Sequence, residues 1–541
     1  MRFAAHLRRP ELAAETMLLA GSLVLASVAN LAFWRAALAG RELGDAATLR
    51  YVATTFVLLA AAHFFVLGLV ATRHTLRPLL ALAFIASAAL GYYMQRYGVV
   101  FDASMVRNVL RTDYREARDL LTPDLAGWLV AGALVAAAFW LPRLRPRPLG
   151  RALVLRVLAL VLALAAGVAA LLANFQDFAS QMRNDRKLRF TIAPANFAWS
   201  LGVVLGADLR DAAGPREPLE PVSRAVAAGR RPVLVVLVIG ETARAANFSL
   251  NGYARATNPE LAQLDLAYFP NTRACGTSTE VSLPCMLSPF GRAEYDENRI
   301  RRHESLPQLL ARTGLRTLWL DNQSGCKGAC EGVEFRDLRA ATVPGACAGG
   351  YCHDEVLLEE LKRVALAAAG DTVVLLHMMG NHGPAYFRRY PPELRRFTPA
   401  CERLELRDCS REEIVNAYDN AILATDRFLA RTIRYLDGLG ERFDTALVYV
   451  SDHGESLGEH GLYLHGLPYA FAPREQLEVP MLWWFAPAAA KHLGVDLACL
   501  KRRAASAASH DNLYHSVLGL LGVKTPRYRP ARDLFEGCRS P

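Results

Sequence analysis

Hydrophobic and polar positions divide this chain into two stretches with different spacing rules. In the first third, apolar residues run on for lengths near the roughly 20 residues that a helix needs to cross a bilayer. Five such runs are Thr16–Trp34, Tyr51–Thr72, Pro78–Gln95, Leu125–Leu141 and Val157–Gln176. Burying five helices of this kind in a soluble protein would need a core larger than the remaining chain could cover, so a membrane domain of five helices is predicted over residues 1–176. Thr16–Trp34 is not read as a cleaved signal peptide: no small-residue cleavage site leads from it into a soluble domain, and more spans follow. Residues 177–231 read as a connector, with a basic run from Arg183 to Arg189 and prolines at 215, 218 and 221. Between them, Ile192, Phe197, Trp199, Leu201 and Val204 suggest a helix or loop at the membrane surface rather than a sixth span.

From Pro232 onward the pattern changes. Short, nearly continuous apolar runs (Val233–Ile239, Leu315–Leu320, Thr372–His377, Thr445–Ser451, Val479–Phe485) alternate with helix-like stretches at Leu306–Thr313, Glu355–Ala368, Arg411–Leu436 and Asp511–Leu521. Apolar strands between helices predict an α/β domain over residues 232–541, its mostly parallel sheet covered on both faces. There are no internal repeats.

Charge orients the membrane domain. Arg2, Arg8 and Arg9 precede the first span, Arg73 and Arg77 follow the second, and Arg143, Arg145, Arg147 and Arg151 follow the fourth. By the positive-inside rule these segments are cytoplasmic, and an odd number of spans puts the rest of the chain outside. Arg107, Arg111, Arg115 and Arg118, after the third span, argue mildly against this orientation, and the acidic Asp102, Asp113, Glu116 and Asp119 among them contribute little to it; the orientation is kept. Cysteine usage agrees: all ten cysteines lie at or beyond Cys275. An even set of close neighbours in an oxidising compartment reads as a disulfide framework, and the absence of any CxxC pair weakens a zinc-cluster reading. The expected pairs are Cys275/Cys285, Cys326/Cys330, Cys347/Cys352, Cys401/Cys409 and Cys499/Cys538. The net charge of +10 comes mostly from arginine; outside a membrane it points to anionic lipid headgroups rather than nucleic acid.

Four strand-like runs end in polar chemistry: Gly240-Glu241-Thr242, Asp321-Asn322, His377 with His382 just beyond, and Asp452-His453. In an open parallel sheet these ends share one edge, where ligands bind. Carboxylates beside imidazoles suit Zn²⁺. One polar strand end is an ordinary turn; four together point to a metal-dependent active site. The tract Cys275-Gly-Thr-Ser-Thr279 offers hydroxyls at a helix start, where they serve as an N-cap or, next to a metal and phosphate, as a nucleophile.

In this order, Ile239-Gly-Glu241-Thr, Cys275-Gly-Thr-Ser-Thr279, Gly380-Asn-His382-Gly-Pro and Ser451-Asp452-His453-Gly-Glu-Ser, after five apolar spans, closely resemble the lipid A phosphoethanolamine transferases. That family belongs to the alkaline phosphatase/sulfatase superfamily and includes the mobilised colistin-resistance enzymes. The likeness covers essentially the whole chain, and it is the combination of motifs that is specific. It implies Glu241, Thr279, Asp452 and His453 as ligands of one tight zinc, with Thr279, last in its motif, as nucleophile. His382 and His465 match residues that hold the donor phosphate or a second, weaker zinc, and either could protonate the leaving diacylglycerol. Ser324, Lys327 and His377 resemble pocket-lining residues; His460 matches no role. Asn108, Thr112 and Glu116 recur every four residues, so on one helix they share a face. In the family that face meets the lipid headgroup, with Glu116 pairing the ethanolamine ammonium. The implied partners are phosphatidylethanolamine as donor and lipid A as acceptor, at the inner membrane of a Gram-negative bacterium with the catalytic domain in the periplasm. The same chemistry on a core sugar or periplasmic glucan, and a glycerophosphate transferase of the lipoteichoic acid synthase type, are rival readings. A sulfatase would need a CxPxR-like tract that Cys275-Gly-Thr lacks, and a non-enzymatic sensor would have no use for an intact metal set.

Overall fold

The computed structural model describes residues 10–185, 187–211, 216–224, 229–348 and 351–539. Arg2, Arg8, Arg9, Arg186 and Pro215 lie outside these ranges. The chain forms two compact units, one of residues up to Val106 together with Leu121–Val204, the other of Arg107–Leu120 together with Leu205 onward.

In the first unit four helices have the length and apolar composition of membrane spans: Ala14–Ala37, Ala46–Val70, Leu76–Tyr97 and Leu149–Ala173. The first is interrupted by a tighter turn at Val28–Asn30. The fourth predicted span is an apolar helix over Pro123–Ala138, opened by Pro at its first position and by the Thr122 hydroxyl accepting the Leu125 N–H. Its 16 residues extend about 24 Å, short of the hydrocarbon thickness of about 30 Å. Leu149–Ala173 fully buries only Gly167 and Ala170, and most of its leucines and valines are exposed, as a lipid-facing helix allows. Where helices do touch, small residues let them close: a Cβ on Gly132 would lie 2.9 Å from the Ala88 Cβ and 3.1 Å from the Phe84 carbonyl. The apolar part of the connector forms a helix over Ala195–Asp211.

The second unit is built on an eight-stranded sheet. Its strands are β1 (Val233–Gly240), β2 (Ala267–Arg273), β3 (Arg316–Asp321), β4 (Glu334–Asp337), β5 (Thr372–His377), β6 (Asp444–Ser451), β7 (Glu478–Phe485) and β8 (Ala508–Ser509), in the order β8-β2-β7-β6-β1-β5-β3-β4. Every pairing is parallel except those of β7, which runs against both β6 and β2. The central strands are buried along their whole length, which explains their unbroken Val/Leu/Ile runs. Burying each such side chain contributes roughly 1.5–3 kcal/mol. The core continues from the sheet into the helices beside it, through residues such as Leu283, Leu309, Leu513 and Phe535. The four predicted helices appear as Leu306–Arg312, Glu355–Ala367, Arg411–Asp437 and His510–Leu520.

Register is what builds the site. His377 pairs with Ile239 across β5/β1 and with Asp321 across β5/β3, and Ser451 pairs with Gly240 across β6/β1. Four carboxyl-terminal strand ends therefore finish level with one another, which brings Glu241 and Asp452, just after β1 and β6, to the same edge as Asp321 and His377, the last residues of β3 and β5. All five expected disulfides are formed, and there is no free cysteine among the described residues.

Candidate active site

Glu241 follows β1 directly, Asp452 and His453 follow β6, and all three are fully buried. One ligand atom from each lies within 4.8 Å of the other two. His453 Nε2 sits 3.3 Å from Glu241 Oε1 and 3.4 Å from Asp452 Oδ2. Its Nδ1 meets the Gly454 carbonyl at 3.0 Å, and because a carbonyl only accepts, Nδ1 carries the proton and Nε2 presents its lone pair to the cluster. Glu241 Oε1 and Asp452 Oδ2 are buried without a hydrogen-bond partner. Burial and the neighbouring Asp452 charge push the Glu241 carboxyl well above the usual carboxylate range. Two buried carboxylates and an imidazole lone pair aimed at one point are costly without a cation and suited to one with O and N ligands. The donor set fits a metal ion.

Thr279 opens the helix Thr279–Met286 behind an extended Ser278. Its hydroxyl donates to Glu241 Oε2 at 2.9 Å and lies 3.4 Å from His453 Nε2. Thr277, the other threonine of the tract, spends its hydroxyl on the Leu467 carbonyl at 2.6 Å. Ser282, one turn along the same helix, donates to the Asp452 carbonyl at 2.5 Å, and the Cys275–Cys285 disulfide brackets the tract. His510 locks the other side, accepting the Cys275 N–H at Nδ1 and donating from Nε2 to the Ser451 carbonyl.

The remaining histidines line the same rim. The His465 ring lies 4.4 Å from that of His453 and 5.7 Å from that of His382, and its Nδ1 faces Glu455 at 3.4 Å. Desolvation, followed by the charges of His465 and Arg389, holds His382 well below the usual imidazole range. His377 is anchored by Asp321 at 2.8 Å, and its Nε2 is buried without a partner. His460 sits on an exposed turn.

The loop after the third span corrects one expectation. Asn108, Thr112 and Glu116 do not share one helix: Ala103–Arg111 ends before Thr112, whose hydroxyl turns back to the Asn108 carbonyl, and a new turn starts at Tyr114. The acidic side chain of Asp113 starts that turn by accepting the Glu116 N–H. Glu116 nonetheless reaches the rim. Its Oε1 accepts from Gln323 at 2.9 Å, Gln323 Oε1 accepts the Ser324 hydroxyl, and Lys327 donates to that hydroxyl at 2.6 Å. Desolvation raises the Glu116 carboxyl, offset in part by Lys327 and Ser324.

Several site-building residues carry no sequence signal. Asp354 accepts the Met379 and Gly380 N–H groups and the Asn322 amide, pinning the turn that carries His382. Gly380 has φ +50°, and a Cβ there would come 2.7 Å from the Glu241 carbonyl. Gln323, Asp354 and His510 are isolated polar residues in loops or at helix starts, where no periodicity marks them.

A sulfatase family model matches residues 234–523, and a model described as phosphoethanolamine transferase EptA/EptB matches residues 59–209. The phosphoethanolamine transferase EptA of Salmonella typhimurium is 39% identical over 559 aligned residues, covering 98% of each chain. The chain belongs to the phosphoethanolamine transferase family. Phosphatidylethanolamine transferase Mcr-1 of Escherichia coli is 38% identical, over 85% of this chain and 87% of its own. The integral membrane lipooligosaccharide phosphoethanolamine transferase A of Neisseria meningitidis superposes with a TM-score of 0.94 at 36% identity, covering 98% of this transferase and all of its own chain. This transferase is therefore a multi-pass membrane protein whose second unit has the sulfatase fold.

Proposed function

We propose that this transferase moves phosphoethanolamine from phosphatidylethanolamine to lipid A through a phosphoryl-threonine at Thr279, with zinc as cofactor. The observation that carries the reading is the Thr279 hydroxyl lying against Glu241 and His453, both buried. Glu241, Thr279, Asp452 and His453 would hold one zinc ion. When bound, it supplies Lewis-acid charge that favours the ionised hydroxyl and offsets charge developing on the phosphoryl oxygens.

The protein's own groups account for the rest. Thr279 Oγ attacks the donor phosphorus as the ionised hydroxyl, the form in which it leaves again in the second step; a P–O bond to threonine forms, and the bond to the glyceryl oxygen breaks. That oxygen needs a proton, and His465, on the same rim with its Nδ1 3.4 Å from Glu455, supplies it. His382, kept neutral by its surroundings, takes the proton from the acceptor in the second step. The acceptor oxygen then attacks phosphorus and Thr279 Oγ leaves. Glu116, joined by Asn108 and Thr112, holds the ethanolamine ammonium, while Ser324, Lys327 and His377 line the phosphate pocket. A second, weaker zinc near His382 and His465 belongs to the same reading.

The membrane domain spans residues 1–176, the connector 177–231 and the catalytic domain 232–541, in the inner membrane of a Gram-negative bacterium with the catalytic domain in the periplasm. Five disulfides in that domain support an oxidising compartment. Mass spectrometry of lipid A from Gram-negative cells expressing the full chain should show added phosphoethanolamine. Unmodified lipid A beside a modified core sugar or glucan would move the acceptor assignment to that glycan.

A further inference from the structure

The loop that carries His465 is held by a residue that no motif marks. Ser456–Leu457 and Tyr463–Leu464 form a short antiparallel pair, and His465 follows it directly. Around His465 the backbone turns sharply: Leu464 has φ +62° and Gly466 has φ +89°. A leucine in the left-handed region is strained and persists only where surrounding contacts dictate it. Gln476 supplies such contacts. It stands on the short helix Arg474–Leu477, directly before β7, and is 1% exposed. Its Nε2 donates to the Leu464 carbonyl at 3.1 Å and to Ser456 Oγ at 2.9 Å, while its Oε1 accepts the Leu467 N–H at 3.2 Å. One carboxamide thus grips the chain on both sides of His465. The nucleophile tract grips it as well. The Gly466 N–H donates to the Thr277 carbonyl at 2.7 Å, and the Thr277 hydroxyl donates to the Leu467 carbonyl at 2.6 Å. The backbone beside Gln476 also reaches the segment after His453: the carbonyls of Gln476 and Glu475 accept the Gly454 and Glu455 N–H groups at 3.0 and 2.8 Å. The approach is so close that a Cβ on Gly454 would collide with the Glu475 carbonyl.

We infer that Gln476, assisted by the Thr277 hydroxyl, is a positioning residue of the transfer reaction: it sets His465 against the glyceryl oxygen that departs from the phosphorus. Bridging the Leu464 carbonyl and the Leu467 N–H takes one donor and one acceptor on a single planar group, which a carboxamide provides. Gln476 is itself placed by the sheet, because the strand that follows it, β7, is bonded to both β6 and β2. His465 and Thr279 are therefore braced against each other through Thr277, two residues before the nucleophile. In the first step the bond from phosphorus to the glyceryl oxygen breaks, and that oxygen takes the proton held by His465. Such a transfer works only within hydrogen-bond reach of the departing atom, and a displacement of about 1 Å can cost about a hundredfold in rate. The inference rests on the role proposed above for His465 and adds the group that aims it.

The test uses the full-length protein in detergent and reads release of the leaving group in the first turnover, which isolates the first step. Two donors are compared: phosphatidylethanolamine, whose glyceryl oxygen needs a proton to leave, and the p-nitrophenyl ester of phosphoethanolamine, whose nitrophenolate needs none. Gln476→Met keeps the length of the side chain and removes its hydrogen bonds, and Thr277→Val keeps the shape and removes the hydroxyl. Each should slow diacylglycerol release by at least about tenfold and nitrophenolate release by less than about threefold. Thr277→Ser should recover most of what Thr277→Val loses. The half-saturating phosphatidylethanolamine concentration should move less than about twofold, since binding does not need the proton. In a His465→Ala background, Gln476→Met should cost less than about a further twofold, because it acts through a group already removed. Should Gln476→Met fail to fold, Thr277→Val carries the same comparisons. Equal slowing with both donors, or losses that add to that of His465→Ala, overturns the inference and makes Gln476 a support of the loop alone. A His465→Ala protein that releases diacylglycerol at the wild-type rate would bring down the proposed role of His465, and this inference with it.

Discussion

The Thr279 hydroxyl donates to Glu241 Oε2 at 2.9 Å, although 38 residues separate the two along the chain. The contact exists because β1 delivers Glu241 to the sheet rim while the Ser278 turn and the Cys275–Cys285 disulfide hold the start of the next helix against it. Glu241 then shares a fully buried space with Asp452, and the two carboxylates repel. A bound cation would relieve that repulsion, which gives the first prediction. Purified protein should carry about one tightly held zinc per chain by elemental analysis. Glu241→Gln and His453→Ala should each lower metal affinity by at least about tenfold, since each removes one ligand. Full zinc occupancy in both variants would show that the cluster is not the metal site.

Thr279→Ser keeps a hydroxyl at the same position and should retain measurable transfer. Thr279→Ala should lose at least about a thousandfold in rate, as removal of a nucleophile does. Its melting temperature should stay near wild type, because one hydrogen bond is worth about 1 kcal/mol net. Steady-state release of diacylglycerol, with thermal unfolding alongside, separates chemistry from folding.

Glu116→Gln preserves an oxygen for the Gln323 amide but removes the charge meant for the donor's ammonium. KM for phosphatidylethanolamine should rise about tenfold. N-acylation of the donor, which also removes that charge, should weaken wild type by a similar factor and the variant hardly at all. Equal weakening of both proteins would show that Glu116 and the ammonium do not meet.

Legibility of the fold followed burial. Strands β1, β3, β5, β6 and β7 are apolar on both faces, so each was readable to within a residue or two. Strand β2 was not, because Pro270 and Asn271 interrupt its pattern, and β4 and β8 are short edge pieces. The reversed direction of β7 leaves no trace in composition. Asn108, Thr112 and Glu116 have helical spacing, but Asp113 starts a separate turn, and a capping contact overrides spacing there. Glu241, Asp452 and His453 could be named because each directly follows a readable strand. Gln323 and Asp354 act by fixing loops, and loop geometry is decided by tertiary contacts rather than by a repeating pattern.

The buried Asp321–His377 pair gives a pH dependence. Burial disfavours both ions, yet the mutual hydrogen bond and charge lower the Asp321 carboxyl and raise the His377 imidazole. The imidazole part of the stabilisation is complete below the unfolded value of about 6.5 and fades as pH rises through the raised folded value. The carboxylate part is complete above about 3.9 and fades as pH falls through the lowered folded value. In chelator-treated protein, the melting-temperature gap between wild type and Asp321→Asn should be widest between those two limits and narrow on the alkaline side. A gap that stays constant into alkaline pH would remove His377 from the account.

The covalent step is tested most sharply by peptide mass mapping of the full-length protein after incubation with phosphatidylethanolamine alone. A phosphoethanolamine adduct should appear on the peptide containing Thr279, fragment to that residue, and disappear when acceptor is added. Turnover of donor with no adduct there, or with the adduct on another residue, would contradict that step.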